Sequence, residues 1–393
     1  MNKIVPLKIS GHLNENCCGC GACAQVCHRS CIEMVKDMEG FMYPKVFLEN
    51  CVGCLKCESV CPSVGELSPR LPICDYAIIN LCDEVRTQSS SGGIFYELAK
   101  RFIEKNGVVF GARFDEKYRV CHDVADNLLG VQNFQGSKYV QSEIGSTFVQ
   151  VKEFLKKGKY VLFSGTPCQV AGLKKFLHKD YEKLLMVDCI CHGVPSPLVF
   201  EKYLTEIIGK SNNIMFKFRD KTEGWYGYHV KIQFTNGVIS YNQKWTNDPY
   251  MQLFVSNYSL RPSCYNCPAK SGRSGSDITL GDFWGVDKVM PQMFDNKGTS
   301  LVLANTQKGK DILDAIVDLK VERVSHDLAI GFNSAWNSSA NKPLERDNFF
   351  RLIRKKKLNT LYVKFLHPEM LFMNRLKNNI SRVLHFMKTS LGK

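Results

Sequence analysis

Two copies of one cysteine spacing near the N-terminus constrain this chain more than any other feature. The first copy is Cys17, Cys20, Cys23 and Cys27, and the second is Cys51, Cys54, Cys57 and Cys61. The spacing C-x2-C-x2-C-x3-C is typical of 4Fe–4S clusters, where three close thiolates bind one cluster and the fourth binds the other. The pattern therefore predicts one cluster on Cys17, Cys20, Cys23 and Cys61 and a second on Cys51, Cys54, Cys57 and Cys27.

Zinc is the alternative metal for such a segment. Structural zinc usually takes two C-x2-C pairs, not three evenly spaced cysteines with a fourth at x3, so the spacing favours iron–sulfur. Cys18 and Cys31 lie in the same segment but outside the repeat, and we expect them to be buried small side chains. Residues 1–68 are thus predicted to form an α+β ferredoxin-like module with two 4Fe–4S clusters.

The total cysteine content bears on the compartment. The chain has 18 cysteines among 393 residues, which indicates either disulfides in an oxidising compartment or metal thiolates in a reducing one. Met1–Ser10 contains no apolar run of the signal-peptide kind, and no stretch of about 18 apolar residues occurs. We therefore expect a cytoplasmic protein whose thiols mostly bind iron.

Positive charge is concentrated at the C-terminal end of the chain. Residues 351–393 hold 11 Lys and Arg and one acidic residue, Glu369, and so account for +10 of the net +14. The segment lacks aromatic residues interleaved at the density that base stacking requires, so no nucleic-acid partner is expected.

The same tail has an apolar stripe at helical spacing. The stripe consists of Leu376, Ile380, Val383, Leu384, Met387 and Leu391. A basic amphipathic helix over residues 345–393 has two interpretations: it rests on an anionic membrane, which would place the protein peripherally at the inner face, or it packs on the body.

Between these ends, residues 75–340 alternate helix and strand patterns. A helical face from Ile94 to Ile103 precedes a strand at Val108–Ala112, and a strand at Tyr160–Phe163 precedes a helix at Pro167–Leu177. Asn236-Gly237 between two short strand patterns predicts a hairpin. The alternation predicts an α/β domain with a β-rich part.

Six runs in this middle zone carry a family resemblance. They are Ser90–Gly93, Gly136–Ser142, Ser164–Gln169, Cys191–Ser196, Arg261–Cys267 and Ser276–Gly285. In this order they resemble the β-subunit family of coenzyme F420 hydrogenases and dehydrogenases, which use a deazaflavin hydride carrier. The resemblance implies FAD in the α/β domain and an iron–sulfur cluster near it.

The resemblance also implies which residues contact the flavin. They are Ser91, Gly92, Gly93, Gly136, Ser137, Lys138, Tyr139, Gln141, Gly165 and Thr166. Glycines at a helix start let the backbone approach an anionic group, and ligands gather where strands of an α/β sheet end. An ordinary tight turn is the alternative for any one glycine.

A third 4Fe–4S cluster is predicted on four cysteines inside the matching runs, Cys168, Cys191, Cys264 and Cys267. The first two follow predicted strands, and the last two form a C-x2-C. Cys189 is an alternative ligand. The competing interpretation is that Cys264 and Cys267 bind zinc or nothing and that the others are core thiols.

Together these features predict an iron–sulfur flavoprotein oxidoreductase. Such an enzyme exchanges electrons between a two-electron hydride carrier and 4Fe–4S clusters that serve a partner protein. The carrier is F420-like, a nicotinamide or an oxidised sugar, since related chains also resemble accessory enzymes of surface-polysaccharide synthesis. The alternative is a non-catalytic ferredoxin-type electron carrier with a docking domain. No catalytic residue is assigned. Asp188 and His192 could move protons near a flavin, but we favour their interpretation as hydrogen-bonded polar residues at strand ends.

Overall fold

The computed structural model describes residues 15–209 and 214–369. The cysteine-rich module, residues 15–66, contains two short helices and one antiparallel strand pair. The elements are α1 (Ala22–Val26), β1 (Ile32–Lys36), β2 (Met42–Val46) and α2 (Lys56–Ser59). Each helix begins inside one of the two cysteine runs, so the repeat in the sequence becomes a repeat in the structure.

An eight-stranded mixed sheet forms the centre of the body. Its strands are β3 (Cys74–Asn80), β4 (Val108–Phe114), β5 (Val120–Ala125), β6 (Val161–Ser164), β7 (Leu184–Cys189), β11 (Ile278–Asp282), β12 (Ser300–Ala304) and β13 (Leu319–Val324). The spatial order is β13-β3-β12-β11-β7-β6-β4-β5. The four strands β4, β6, β7 and β11 are parallel, and antiparallel strands flank them on both sides.

Helices cover both faces of this sheet. They are α3 (Asp83–Gln88), α4 (Ile94–Glu104), α5 (Leu128–Gln132), α6 (Thr147–Lys156), α7 (Pro167–Leu177), α10 (Val286–Val289), α11 (Gln307–Asp314) and α12 (His326–Gly331). The predicted helix at Pro167–Leu177 is confirmed at both ends. Thr166 and Gln169 form a capping box there, and Pro167 occupies the first turn.

A second sheet carries the predicted hairpin. It has three antiparallel strands, β8 (Ile214–Asp220), β9 (His229–Phe234) and β10 (Ile239–Lys244), and Gly237 turns between the last two with a φ of +90°. Helices α8 (Pro197–Ile208) and α9 (Pro249–Val255) share a buried apolar cluster with this sheet. The β-rich part of the prediction is therefore this small sheet.

The first half of the predicted tail packs on the body. Helices α13 (Arg346–Ile353) and α14 (Leu358–Leu366) bury Phe349 and Leu361 in the same apolar cluster as α8 and α9. The predicted stripe from Leu376 to Leu391 lies outside the described residues. None of the helices within residues 15–209 and 214–369 has the length and hydrophobicity that crossing a bilayer requires.

Candidate iron–sulfur sites

The first group of thiols lies where the two cysteine runs meet. It comprises Cys17, Cys20, Cys23 and Cys61. Burial, followed by the neighbouring charges of Cys17 and Cys61, raises the pKa of Cys23 well above its usual range. Thiols that repel one another in this way need a cation between them to become thiolates, which an iron cluster supplies.

The second group surrounds a separate cavity in the module. Cys27, Cys51, Cys54 and Cys57 line it together with Cys31. The exchange of the fourth cysteine between the runs is therefore present in the structure, since Cys27 joins the second run and Cys61 joins the first. Cys31 is buried, as expected, and its sulfur lies 3.3 Å from that of Cys27.

Left-handed turns wrap the backbone around these groups. Gly19 and Gly53 have φ values of +69° and +68°. A Cβ atom at Gly19 would lie 2.8 Å from a guanidinium nitrogen of Arg261, so the position requires glycine for space as well as for conformation.

The third group lies in the body, where the carboxyl ends of two neighbouring parallel strands meet the 3₁₀ turn that precedes β11. Cys168 follows β6 in the first turn of α7, Cys191 follows β7, and Cys264 lies in the 3₁₀ turn Pro262–Asn266 just before Cys267. All four line one cavity. Parallel strand ends meet at one edge of a sheet, which brings Cys168 and Cys191 together, and the 3₁₀ turn adds Cys264 and Cys267 from a distant part of the chain.

Two more thiols face the same cavity. Cys18 and Cys189 line it beside the four predicted ligands. Cys18 is buried, as expected, but it lies against Cys168 rather than in the module's own core. Cys189 remains the alternative ligand, because it lines the cavity as Cys191 does.

Burial and the charge of one lysine shift the pKa values of the thiols in this cavity. Burial raises the pKa of Cys267 to about 12, whereas interaction with the Cys189 thiol and the charge of Lys270 hold the pKa of Cys191 at about 7. Lys270 donates to the carbonyls of Cys191 and Ala335, which fixes its ammonium group at the rim.

Asp188 and His192 also line this cavity. Burial raises the pKa of Asp188 to about 6, although the Thr279 hydroxyl donates to its carboxylate at 2.5 Å. His192 contacts the side-chain oxygen of Asn257 at 2.7 Å through Nε2. Both have the hydrogen-bonded role that was expected of them.

Throughout the described residues, no three His, Cys, Asp or Glu side chains are arranged around a single metal ion. Zinc binds its ligands directly at about 2.0–2.3 Å and so draws them close together. Thiolates at the corners of a cubane stand further apart than thiolates around one ion. The all-sulfur donor sets of the three groups are of the kind that 4Fe–4S clusters take, and within the module the C-x2-C-x2-C-x3-C spacing favours such clusters over zinc.

The three groups are neighbours in space. Cys17 belongs to the first group and Cys18 lines the third cavity, and consecutive Cα atoms lie only about 3.8 Å apart. Cys23 and Cys27 lie in and just after α1 and belong to the first and second groups. The order in space is therefore third, first, second.

The module is held on the body by polar contacts that the sequence does not reveal. Gln25 accepts from the backbone N–H groups of Phe148 and Val149 at the start of α6, at 2.9 and 3.2 Å. Arg346 forms a bidentate ion pair with Glu39, buried on the arginine side. The contacts hold the module against the body, where Cys18 lines the third cavity.

Arg261 is the functional residue that the sequence reasoning missed. Its guanidinium donates to the carbonyl of Cys17, to Gln141 and to the carbonyl of Met42. Arg261 lies within one of the six runs, but no local pattern distinguishes a buried arginine from an exposed one. Its contacts come from three distant segments, which only the folded chain brings together.

The ten predicted flavin residues lie in three places rather than one. The first is a junction of two loops. The Ser91 hydroxyl donates to the carbonyl of Thr299 at 2.8 Å, the Ser137 hydroxyl donates to Ser90 Oγ at 2.9 Å, and Ser300 Oγ accepts from the Gly92 N–H. Gly93, with a φ of +89°, begins α4.

Lys138 and Gly136 complete this junction. The Lys138 ammonium donates to the carbonyls of Asn133 and Gln135 just after α5, and burial lowers its pKa to about 7. Gly136 has a φ of +77°, and the nearest atom to a Cβ there would be 4.0 Å away. Gly136 thus faces open space, whereas Gly92 faces the backbone of Ile78 and Ser300.

The remaining predicted flavin residues lie elsewhere. Tyr139 accepts from Arg219 at 3.2 Å through its hydroxyl. Gln141 joins the body to the module, because its side-chain amide donates to the carbonyl of Cys18 at 2.9 Å. Gly165 and Thr166 lie at the edge of the third cavity, where the Thr166 hydroxyl is 3.3 Å from the sulfur of Cys168.

Basic side chains surround the loop junction. We use the name basic junction for Arg86, Lys138, Arg219 and Lys221. Arg219 pairs with Asp282 at 2.6 Å, but its Nε and Nη2 are buried without a hydrogen-bond partner. Burial, followed by the charges of Arg219 and Arg86, lowers the pKa of Lys221 to about 7. The Arg219 guanidinium also lies over an aromatic ring, with its Cζ 4.3 Å from the centroid of the Tyr228 ring.

Comparison with known proteins identifies two domains. Residues 16–64 match the 4Fe-4S dicluster domain, and residues 158–326 match the family described as the C terminus of the beta subunit of coenzyme F420 hydrogenase/dehydrogenase. No curated protein matches the chain. A solved F420-reducing NiFe hydrogenase complex from Methanosarcina barkeri, derivatised with xenon, contains a chain with 16% identity and a TM-score of 0.46, over 74% of this chain and 91% of that one.

Proposed function

We propose that the chain is an oxidoreductase subunit that exchanges electrons between a hydride carrier and a partner protein, because residues 158–326 match the coenzyme F420 hydrogenase/dehydrogenase beta-subunit family and residues 16–64 match the 4Fe–4S dicluster domain. The observation that carries the proposal is the continuous row of three thiol groups. A row of adjacent sites suits transfer between two separated surfaces better than storage at one.

The protein's own residues hold and insulate these sites. Cys17, Cys20, Cys23 and Cys61 would hold the first cluster, Cys27, Cys51, Cys54 and Cys57 the second, and Cys168, Cys191, Cys264 and Cys267 the third. Each cluster, when bound, supplies one-electron chemistry whose potential depends on hydrogen bonds and burial around the sulfurs. The thiols of the first and third groups are buried or half-buried where the module meets the body.

The second group is the side of the row that faces the solvent. Cys54 is exposed, and Val52 and Leu55 beside it are 54% and 36% exposed. Apolar side chains around a redox centre suit a transient protein contact. We therefore assign the partner protein to this face of the module.

The hydride carrier belongs to the body. A flavin, when bound there, accepts two electrons as a hydride and releases them singly. The basic junction supports this assignment through its concentration of positive charge and the open backbone at Gly136. The carrier itself, whether F420-like, a nicotinamide or an oxidised sugar of polysaccharide synthesis, is a matter for substrate assays.

A second candidate is a non-catalytic electron carrier with a docking domain. It is favoured by the loop junction, where the Ser137 hydroxyl donates to Ser90 and the protein backbone occupies the space beside Gly92. Loops whose polar groups already hydrogen-bond to one another have fewer groups free to bind a cofactor. This candidate requires iron but no flavin.

Anaerobic purification with iron, sulfide and flavin measured on one sample separates the two candidates. The oxidoreductase requires about twelve irons and one flavin per chain, and its visible spectrum should bleach when a hydride carrier is added. About eight irons without flavin would leave only the electron carrier. Stoichiometric zinc in place of iron would exclude both.

A further inference from the structure

Arg261 is a buried cation without a carboxylate partner in the described part of the chain. It is 1% exposed, and its guanidinium donates to the carbonyl of Cys17 at 2.6 Å, to Gln141 Oε1 at 2.9 Å and to the carbonyl of Met42 at 2.9 Å. The ring of Tyr43 lies 4.2 Å below it. All of these partners are neutral.

Other buried arginines in the described residues are neutralised. Three pair with carboxylates: Arg86 with Asp295, Arg219 with Asp282 and Arg346 with Glu39. A buried charge is costly unless an opposite charge or a full set of hydrogen bonds compensates it. Arg261 has hydrogen bonds but no countercharge, so a negative group absent from the protein atoms is expected nearby.

The surroundings of Arg261 identify that group. Arg261 lines the third cavity and bonds the backbone of a cysteine in the first group. It also precedes the 3₁₀ turn that carries Cys264, whose N–H donates to the Arg261 carbonyl at 2.9 Å. The guanidinium thus lies between the thiolates of two groups, and a 4Fe–4S cluster with four thiolates is anionic.

We propose that Arg261 is a positioning residue that acts as the shared countercharge of the first and third clusters and raises the reduction potential of both. The inference rests on the proposed function, because it requires clusters at both sites. One-electron reduction adds one negative charge to a cluster. A fixed buried cation stabilises that charge, so the reduced form gains stability relative to the oxidised form.

Redox titration of the whole protein, purified anaerobically and followed by electron paramagnetic resonance, tests the proposal. In Arg261→Gln we expect two of the three reduction steps to move to lower potential. The expected change is at least tenfold in the reduction equilibrium, or about 59 mV for one electron. The step of the second cluster, which Arg261 does not approach, should stay in place and so serves as an internal control.

Arg346→Gln is the matched control. It also removes a buried arginine that joins the module to the body, but that arginine is neutralised by Glu39. We expect it to weaken docking while leaving all three potentials within twofold of the wild-type equilibrium. A shift in Arg346→Gln equal to that in Arg261→Gln would overturn the proposal, because docking alone would then explain the effect.

Gln141→Glu provides a second route if Arg261→Gln does not retain iron. The new carboxylate would lie where Oε1 already accepts from Arg261, and it would neutralise the cation without removing it. We expect the same two steps to move down. Fully loaded Gln141→Glu or Arg261→Gln protein with unchanged potentials would refute the role of Arg261, whereas wild-type protein lacking the third cluster would refute the proposed function itself.

Discussion

At the scale of single residues, the loop before α4 has its tightest backbone contact at Gly92. A Cβ there would lie 2.7 Å from the backbone nitrogen of Ser300 and closer still to the carbonyl of Ile78. We expect Gly92→Ala to destabilise the protein by at least about 2 kcal/mol, because backbone atoms cannot move aside as side chains do. Chemical denaturation measures the free energy of unfolding.

Gly331→Ala is the control for that substitution. Gly331 ends α12, is exposed and has no atom within 4 Å of the place that a Cβ would occupy. Its replacement should change the free energy of unfolding by less than about 1 kcal/mol, in the stabilising direction if at all. Equal losses in both variants would show that the Gly92 contact is not what matters.

His122 gives the fold a dependence on pH. Burial lowers its pKa to about 4, and its Nε2 lies 2.9 Å from the carbonyl of Ser164, so it is neutral with the proton on Nε2. An unfolded histidine takes up a proton near pH 6.5, but the folded one does not until about pH 4. Stability contributed by the neutral ring is therefore lost as pH falls through this window, by up to about 3 kcal/mol.

His122→Gln should remove most of that loss. The amide can keep the hydrogen bond to Ser164 but does not titrate. We expect the unfolding free energy of the variant to fall less between about pH 7 and about pH 4.5 than that of the wild type, as measured by denaturation at both values. A parallel pH profile in the variant would mean that other groups govern the loss.

Among single residues, the cysteines of the module were predicted best, because their spacing is typical of 4Fe–4S ligands. The cysteine repeats predicted two thiol groups in the module with exchanged last members, and the structure arranges those thiols in that way. Arg261 and the position of Cys18 beside Cys168 were not predicted, because each depends on contacts between the module and the body. The roles of Arg261 and Cys18 are visible only in the folded chain, because no local sequence pattern indicates them.

At the scale of elements, the last described helices are part of the core. Phe349 in α13 is fully buried and packs on Tyr258 and Phe365. Phe349→Ala should cost about 3–5 kcal/mol of stability, the usual range for removing a buried ring. Thermal and chemical denaturation would show the loss.

Leu344→Ala is the matched control for Phe349. Leu344 lies five residues earlier and is fully exposed, so its truncation should leave stability within about 0.5 kcal/mol of wild type. A small effect in Phe349→Ala would contradict the packing of α13 described above.

Periodicity predicted the elements better than their arrangement. The α4 and α7 helices, the β9–β10 hairpin and the buried strands β4 and β6 all follow from local pattern. The sheet order did not, because β3 pairs with β12 and β13 across more than 200 residues. Likewise, the ten flavin residues remain a prediction, and the structure divides them among three places.

At the scale of the whole molecule, the cysteine-rich module packs against the body so that their thiol groups are adjacent. Cys20 of the module packs on Gly172 of α7, where a methyl group would lie 2.9 Å from the sulfur. Lys175 on the same helix donates to the carbonyl of Cys61 at 3.1 Å. Contacts of this kind bring the first and third groups together. The central claim is therefore that the protein binds three adjacent clusters.

Iron content of a double variant tests that claim most directly. Cys264→Ala with Cys267→Ala should bind about eight irons where the wild type binds about twelve, because one four-iron site is lost. A control with Cys74→Ala and Cys121→Ala, which lie outside the three groups, should keep about twelve. Equal iron in the Cys264/Cys267 variant and the wild type, measured on anaerobically purified protein, would contradict the account.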